Sequence, residues 1–271
     1  MKNFLKYRTH DVAFTARMPA GIPGDVSRKE GAAVEARPYD ATNPPTAYGV
    51  PLVLDATTHN VRKIISGDNS LGQPGQPFVY GILVRPFPIS NYNTTDGLGS
   101  SAPNLNFPAD VLRRGYINVL LSGTAAAVAG GQAYTRLGNV STGKTIGDIE
   151  AAGDYTGITA SATTGTGTST AGTLSFTDAT PAGVYKVVLT ATGATAAFNV
   201  VLSDGAITGT GNIGTQYTDI NGLSFKITAG GTPTSGDYLT ITVVQNTYPI
   251  PNCFFTGAAD ASGNVEIAFK M

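Results

Sequence analysis

Residues 138–145 (GNVSTGKT) have the spacing of a catalytic motif. Two glycines followed by Lys144 and Thr145 satisfy the phosphate-loop pattern. In that pattern backbone amides cradle phosphates, the lysine reaches the terminal ones and the threonine hydroxyl holds magnesium. The chemistry requires a buried strand before the loop, a sturdy helix after it and a parallel sheet around both. A short strand pattern does precede it. The residues that follow, IGDIEAAGDYTGI, contain Gly147, Gly153 and Gly157 and sustain barely two turns of helix. No strand–helix–strand series surrounds the loop, so the expected state is a surface turn in a chain rich in Gly and Thr.

Other reactive residue types are scattered. His10 and His59 are the two histidines, one in a basic arm and one in a turn, and neither stands beside a nucleophile or clustered carboxylates. Cys253 is alone, which excludes an intramolecular disulfide and a thiolate cluster and points to a small buried hydrophobe beside Pro251 and Phe254. Asp25, Glu30, Glu35 and Asp40 are spaced through turn-rich sequence and read as solvated groups. There is no Trp to build a sugar-stacking platform. Asn93 and Asn139 head glycosylation-type triplets, but residues 1–17 lack the apolar run of a secretory signal, so synthesis in the cytosol is expected. No catalytic residue, metal site or cofactor site is expected.

Arginines beside aromatics are the more promising groups. Residues 80–88 (YGILVRPFP) carry Arg85 and Phe87, and residues 112–116 carry Arg113, Arg114 and Tyr116. Arg and Tyr are favoured at protein interfaces for their large, orientable contact area. The competing reading is a set of strand-end arginines paired with local acids. Lys6, Arg8 and Arg17 in the basic N-terminal arm complete the candidate partner-binding set.

The elements that position these groups are short. Pro19, Gly21, Pro23 and Gly24 disfavour any long element in residues 1–31, which read as an extended arm. Residues 48–55, 78–84, 116–121 and 132–137 read as strands, rich in β-branched or aromatic residues. Residues 108–114 and 146–152 each have room for a short helix. The chain holds 17 basic and 18 acidic residues for a net charge of −1, which supplies no electrostatic footprint for nucleic acid or an anionic membrane. With 41% hydrophobic content there is ample apolar surface to bury.

Charge is distributed unevenly. Between residues 155 and 250 the charged residues are Asp178, Lys186, Asp204, Asp219, Lys226 and Asp237. Within this stretch Tyr185, Val187 and Leu189 alternate with other residues, as do Phe198, Val200 and Leu202, then Leu223, Phe225 and Ile227, then Leu239, Ile241 and Val243. Period two with one apolar face describes antiparallel strands. Turn residues between them predict a small sandwich of about six or seven strands, with the low-complexity residues 163–172 as a flexible lead-in. After it, Val265, Ile267 and Phe269 form a last strand whose charge pattern belongs with residues 32–154. That strand either returns to pair with the earlier part or simply ends the inserted module.

Several segments resemble the structural cement proteins of tailed-phage heads. They are GDVSR (24–28), AYGVPLVLD (47–55), YGILVRPFP (80–88), VLRRGYINV (111–119) and GAADASGNVEIAFKM (257–271). The likeness covers roughly residues 14–154 and 246–271. The skipped segment, around PAGVYKVVLTA and SGDYLTITV, is similar to a β-module of phage head decoration proteins. The resemblance implies a barrel or jelly-roll-like domain bound across major capsid protein boundaries, without catalytic residues.

The expectation is therefore an all-β chain. It has an arm (1–31), a discontinuous capsid-binding domain (32–154 plus 246–271) and an inserted Ig-like sandwich (155–245). The expected partners are the major capsid protein and further copies of the chain, as a dimer or trimer. Neither nucleic acid nor membrane is expected. The expected place is the outer capsid surface, reached from the host cytoplasm during assembly, and a head fibre or adhesin binding the host cell surface is the alternative.

Overall fold

The computed structural model of the chain describes residues 21–68, 71–72, 77–86, 102–202 and 205–270. They are all-β, with no helix among them. Residues 108–114, which left room for a short helix, instead open the longest strand. Residues 146–152 contain a two-residue strand rather than a helical turn.

The first part of the chain contributes β1 (Val26–Arg37), β2 (Pro51–Leu54), β3 (Val61–Lys63), β4 (Gly81–Leu83), β5 (Ala109–Ser122), β6 (Gln132–Arg136) and β7 (Ile149–Glu150), and the end contributes β16 (Thr247–Phe255) and β17 (Asn264–Lys270). Together they form one nine-stranded sheet. Of the arm proposed over residues 1–31, residues 1–20 lie outside the described residues, and residues 26–31 belong to β1.

Five of these strands close on themselves. β5 pairs with β17, β17 with β16, β16 with β6, β6 with β7, and β7 returns to β5. A ring of five cannot alternate direction all the way round. The odd strand is accommodated by the one parallel pairing, Leu121 with Ile149 and Ser122 with Glu150. Closure leaves no edge within the ring. Its interior is filled by the alternate residues that the sequence marks as apolar. Ile117 and Val119 come from β5, Ile250, Cys253 and Phe255 from β16, and Val265, Ile267 and Phe269 from β17, all buried in one cluster. Burial pushes the Cys253 thiol up to about 12, so this cysteine is an inert core hydrophobe.

The N-terminal half of β5 continues past the ring. It pairs with β1 on one edge and with β4 on the other, and β2 and β3 extend the sheet from β4. Both faces of this half are covered. Leu112 joins the ring cluster, while Val111 joins a second cluster with Tyr48, Leu52, Val61 and Tyr80. Burial on both faces removes the period-two signal, which is why these residues did not read as a strand.

Between β7 and β16 the chain forms β8 (Ile158–Ala160), β9 (Thr170–Ser175), β10 (Gly183–Leu189), β11 (Ala197–Leu202), β12 (Ile207–Asn212), β13 (Gln216–Thr218), β14 (Ser224–Thr228) and β15 (Tyr238–Val243). They make a five-stranded sheet, β12-β11-β10-β15-β8, and a three-stranded one, β13-β14-β9. Tyr185, Val187, Phe198, Val200 and Ile241 from the first sheet pack with Tyr217, Phe225 and Ile227 from the second. This cluster has no residue in common with the ring cluster.

The eight strands exceed the six or seven expected: β8 precedes residues 163–172, the stretch that composition marked as a flexible lead-in, and β9 begins at its end. The Thr-rich lead-in is instead ordered by Asp237. Its carboxylate accepts from the amides of Thr166 (3.0 Å), Gly167 (2.9 Å) and Thr234 (3.0 Å). The Thr234 bond, against the cost of burial and with help from Thr166 and Gly167, holds that carboxyl at about 2.

Candidate functional site

The outer face of the ring carries a row of side chains fixed by strand register. Arg28 on β1 opposes Tyr116 on β5, Tyr116 opposes Ala268 on β17, Ala268 opposes Phe254 on β16, and Phe254 opposes Gln132 on β6. Period two puts these residues outside because Ile117, Ile267, Phe269, Cys253 and Phe255, their chain neighbours, point inward. The Arg28 guanidinium lies 4.1 Å from the centroid of the Tyr116 ring, and Phe254 is 42% exposed.

Glu266 anchors the row. It accepts from Arg28 Nη2 (2.8 Å), Ser27 Oγ (2.5 Å) and Thr256 Oγ1 (2.7 Å), tying β1 and the chain after β16 to β17. Burial pushes the Glu266 carboxyl up, but the bonds from Ser27, Thr256 and Arg28 outweigh it and hold the group below the usual glutamate range. Arg28 is thereby committed to a local acid, and Tyr116 is held against it in a fixed orientation.

One position along, Arg114 on β5 stands directly opposite Lys270 on β17. Both side chains are exposed. Arg114 Nε donates to the carbonyl of Gly31 (3.3 Å). Among the described residues no carboxylate forms an ion pair with either cation.

The remaining residues singled out from sequence are divided by the fold. Arg113 stacks over the Tyr80 ring (3.5 Å to the centroid), donates to the Tyr80 carbonyl and lies 3.9 Å from Glu35. Glu35, which sequence marked as solvated, instead accepts from the Tyr80 hydroxyl (2.6 Å) and pairs with Arg37 (2.5 Å). The Tyr80 bond is the main reason its carboxyl sits below the usual range. Arg85 is 7% exposed, donates to the Pro23 carbonyl (3.1 Å) and lies over the Tyr48 ring (4.7 Å), so its role is within the fold. Lys6, Arg8, Arg17 and Phe87 lie outside the described residues. Of the eight, Arg114 and Tyr116 are brought together on the accessible outer face.

Phe254 and Lys270 complete that face and were missed. Phe254 was legible as outward by its place beside buried Cys253, and Lys270 by its alternation with Phe269. What no local pattern carried was the register that sets them beside Tyr116 and Arg114.

The phosphate-loop-like residues 138–145 lie where the two parts of the chain meet. Ser141 and Lys144 form a tight turn, and each amide donates to the other's carbonyl. The Thr145 hydroxyl donates to Asp148 (2.8 Å) and its amide does so too (2.7 Å). The next element is β7, so no helix N-terminus faces the loop. The amides of Ser141, Lys144 and Thr145 and the Thr145 hydroxyl are engaged in local turns, and the Gly138 amide donates to the Asn246 carbonyl, rather than being arranged around a phosphate.

Beneath this turn Arg136 is fully buried. It pairs with both Glu150 oxygens and with Asp154 (2.8 Å), and donates to the Gly138 carbonyl (3.0 Å). The Glu150 bond raises the Arg136 guanidinium further above its ordinary value. For Asp154 burial acts upward, but bonds from Thr156 and Arg136 prevail and hold its carboxyl well below the usual range.

The chain leaves and re-enters the ring side by side here. The Asp154 amide donates to Thr247 Oγ1 (2.8 Å), and the Val244 amide donates to the Gly157 carbonyl (2.6 Å). Asp178, in the turn before β10, accepts from the hydroxyls of Tyr134 (3.2 Å) and Tyr155 (3.0 Å), linking the two parts. Among the described residues no group of His, Cys, Asp and Glu is arranged to hold a metal ion.

Comparison with known proteins places this arrangement. No curated protein matches the chain. A solved structure, Xanthomonas campestris FlgL, aligns at 24% identity over 34% of this chain and 30% of that one. Its TM-score of 0.25 carries no structural argument. The model of the XM1 gp53 minor capsid protein family matches residues 12–189, which span β1 to β10 and include the outward Arg114 and Tyr116. With more than half of its length matched, the chain belongs to the XM1 gp53 minor capsid protein family, as a structural protein of a phage capsid.

Proposed function

We propose that this chain is a cement, or decoration, protein that binds across neighbouring major capsid protein subunits on the outside of the phage head and stabilises the shell by binding alone. The observation that carries the reading is the outer face of the ring in a capsid-family protein. It presents Tyr116, Phe254, Arg114 and Lys270 in one accessible patch on a closed, well-packed scaffold. Rigid aromatic and arginine side chains over a fixed sheet suit a contact that must be made without reorganisation. Many modest contacts, each bridging two subunits, add up through effective concentration.

In this reading the ring and its β1–β4 extension form the jelly-roll-like or barrel-like gripping domain. Residues 155–245 are an inserted Ig-like sandwich that projects outward. The adjacent entry and exit at Asp154 and Thr247, and the separate hydrophobic clusters, support the insertion. Assembly as a dimer or trimer on a capsid symmetry axis follows from the symmetry of the shell. The outer capsid surface is the expected location, with host cytoplasm as the place of assembly. Lys6, Arg8 and Arg17 remain proposed additional contacts.

A second reading, a head fibre or adhesin for the host surface, draws on the outer face of the five-stranded sheet. There Val184 and Ile207 are 44% and 61% exposed, and Lys186 is the sheet's sole charged strand residue. The two readings separate by cosedimentation and heating. A cement binds purified heads lacking it and raises the temperature at which they release DNA. An adhesin binds cells and leaves that temperature unchanged.

A further inference from the structure

Arg114 and Lys270 are direct cross-strand partners of the same sign. Like charges placed directly opposite each other on a sheet are destabilising, and an acid beside them offsets the repulsion. Here none does so among the described residues, although the neighbouring cation Arg28 has its own carboxylate in Glu266. Arg28 lies opposite Tyr116, only two residues from Arg114 along β5, and the chain as a whole is slightly acidic. The positive charge at this spot is therefore local.

We infer that the Arg114–Lys270 pair receives a carboxylate from an acidic loop or strand of the major capsid protein, with Tyr116 and Phe254 covering the apolar residues that flank it. The inference rests on the capsid-binding reading and names the chemistry of its contact. Opposed residues of an antiparallel pair are close enough for both side chains to reach one anion. Among the described residues Arg114 bonds Gly31 through Nε, which leaves its terminal guanidinium nitrogens for a bidentate bond. Tyr116 is already oriented by Arg28, and Phe254 stands on the same face two strands away. The outcome is an aromatic and cationic contact matched to an anionic partner.

The test measures binding of the intact protein to phage heads lacking it, at low and high salt. The variants are Arg114→Ala/Lys270→Ala, Lys270→Gln alone and Phe254→Ala. Losing bonds to a charged partner weakens binding by roughly ten- to a hundredfold for the double variant. Wild-type affinity falls with salt, and the double variant loses most of that dependence. The melting temperature of the double variant equals or exceeds that of the wild type, since a repulsion is removed.

Wild-type-like binding and salt dependence in the double variant overturn the inference while leaving capsid binding intact. A lowered melting temperature in both the double variant and Lys270→Gln shows a structural role and also overturns it. Wild-type binding to duplex DNA that these substitutions abolish assigns the pair to a nucleic acid and overturns it as well. Failure of the wild type to bind heads at all sinks the underlying capsid reading instead.

Discussion

Arg136→Ala tests the account of the junction. The Arg136 side chain is 0% exposed, and its partners Glu150 and Asp154 are 6% and 11% exposed. Removing one member of such a group leaves carboxylates in a poorly hydrated site without compensation, which costs about 3–5 kcal/mol. The carbonyls of Gly138 and Asn139 lose their donor at the same time. Against a total stability of about 5–15 kcal/mol this is a large fraction.

The assay is urea unfolding followed by far-UV circular dichroism and tyrosine fluorescence, at neutral pH and near pH 3, below the ordinary aspartate value of 3.8. In the parent, Asp154 is held below its ordinary value, so its contribution is complete above that value and is lost as pH falls through the lower folded one. The variant lacks the arginine that helped hold Asp154 down, so the difference between the two proteins narrows on acidification. Arg136→Met combined with Glu150→Leu and Asp154→Asn removes the buried charges together and recovers most of the loss. A loss under about 1 kcal/mol for Arg136→Ala, or a triple variant less stable than the single one, refutes the reasoning.

Three further outcomes follow from the same geometry. A chain in which a short Gly-Ser linker replaces residues 155–245 still folds, because Asp154 and Thr247 already touch and the ring cluster takes nothing from the segment; aggregation or loss of β signal in circular dichroism contradicts this. Glu266 contributes stability above its ordinary value of about 4.5, and the contribution is lost as pH falls below it, so Glu266→Gln lowers the midpoint at pH 7 and flattens the acid limb of a melting-temperature profile; an unchanged acid limb counts against it. Gly157→Ala places a Cβ 1.9 Å from the Val244 carbonyl oxygen and disrupts the paired entry and exit, for about 1–3 kcal/mol by urea unfolding; an unchanged midpoint is the opposing result.

Much of the fold was legible wherever one face of a strand is buried and the other wet. Val265, Ile267 and Phe269, and Leu239, Ile241 and Val243, alternate in sequence and line the two cores in space. The pattern failed where that condition failed. Residues 109–112 are covered on both faces by different clusters, so Val111 and Leu112 are buried side by side and imitate a helix. The Thr-rich residues 163–172 looked like a linker because their ordering comes from Asp237, far away in sequence.

The candidate site was half legible for the same reason. Arg114 and Tyr116 announced themselves as arginine beside aromatic. Arg113 has the same signature yet stacks on Tyr80, and the face to which each side chain turns is set by strand pairing. Lys270 lies at the far end of the chain and reaches Arg114 through the β5–β17 register.

The central claim, that the protein clamps the shell from outside, is tested most directly by heating DNA-filled heads that lack the protein, before and after saturation with the purified chain, and recording DNA release. The account predicts that saturated heads release DNA at a higher temperature. Release at the same temperature from heads shown to carry the protein contradicts it.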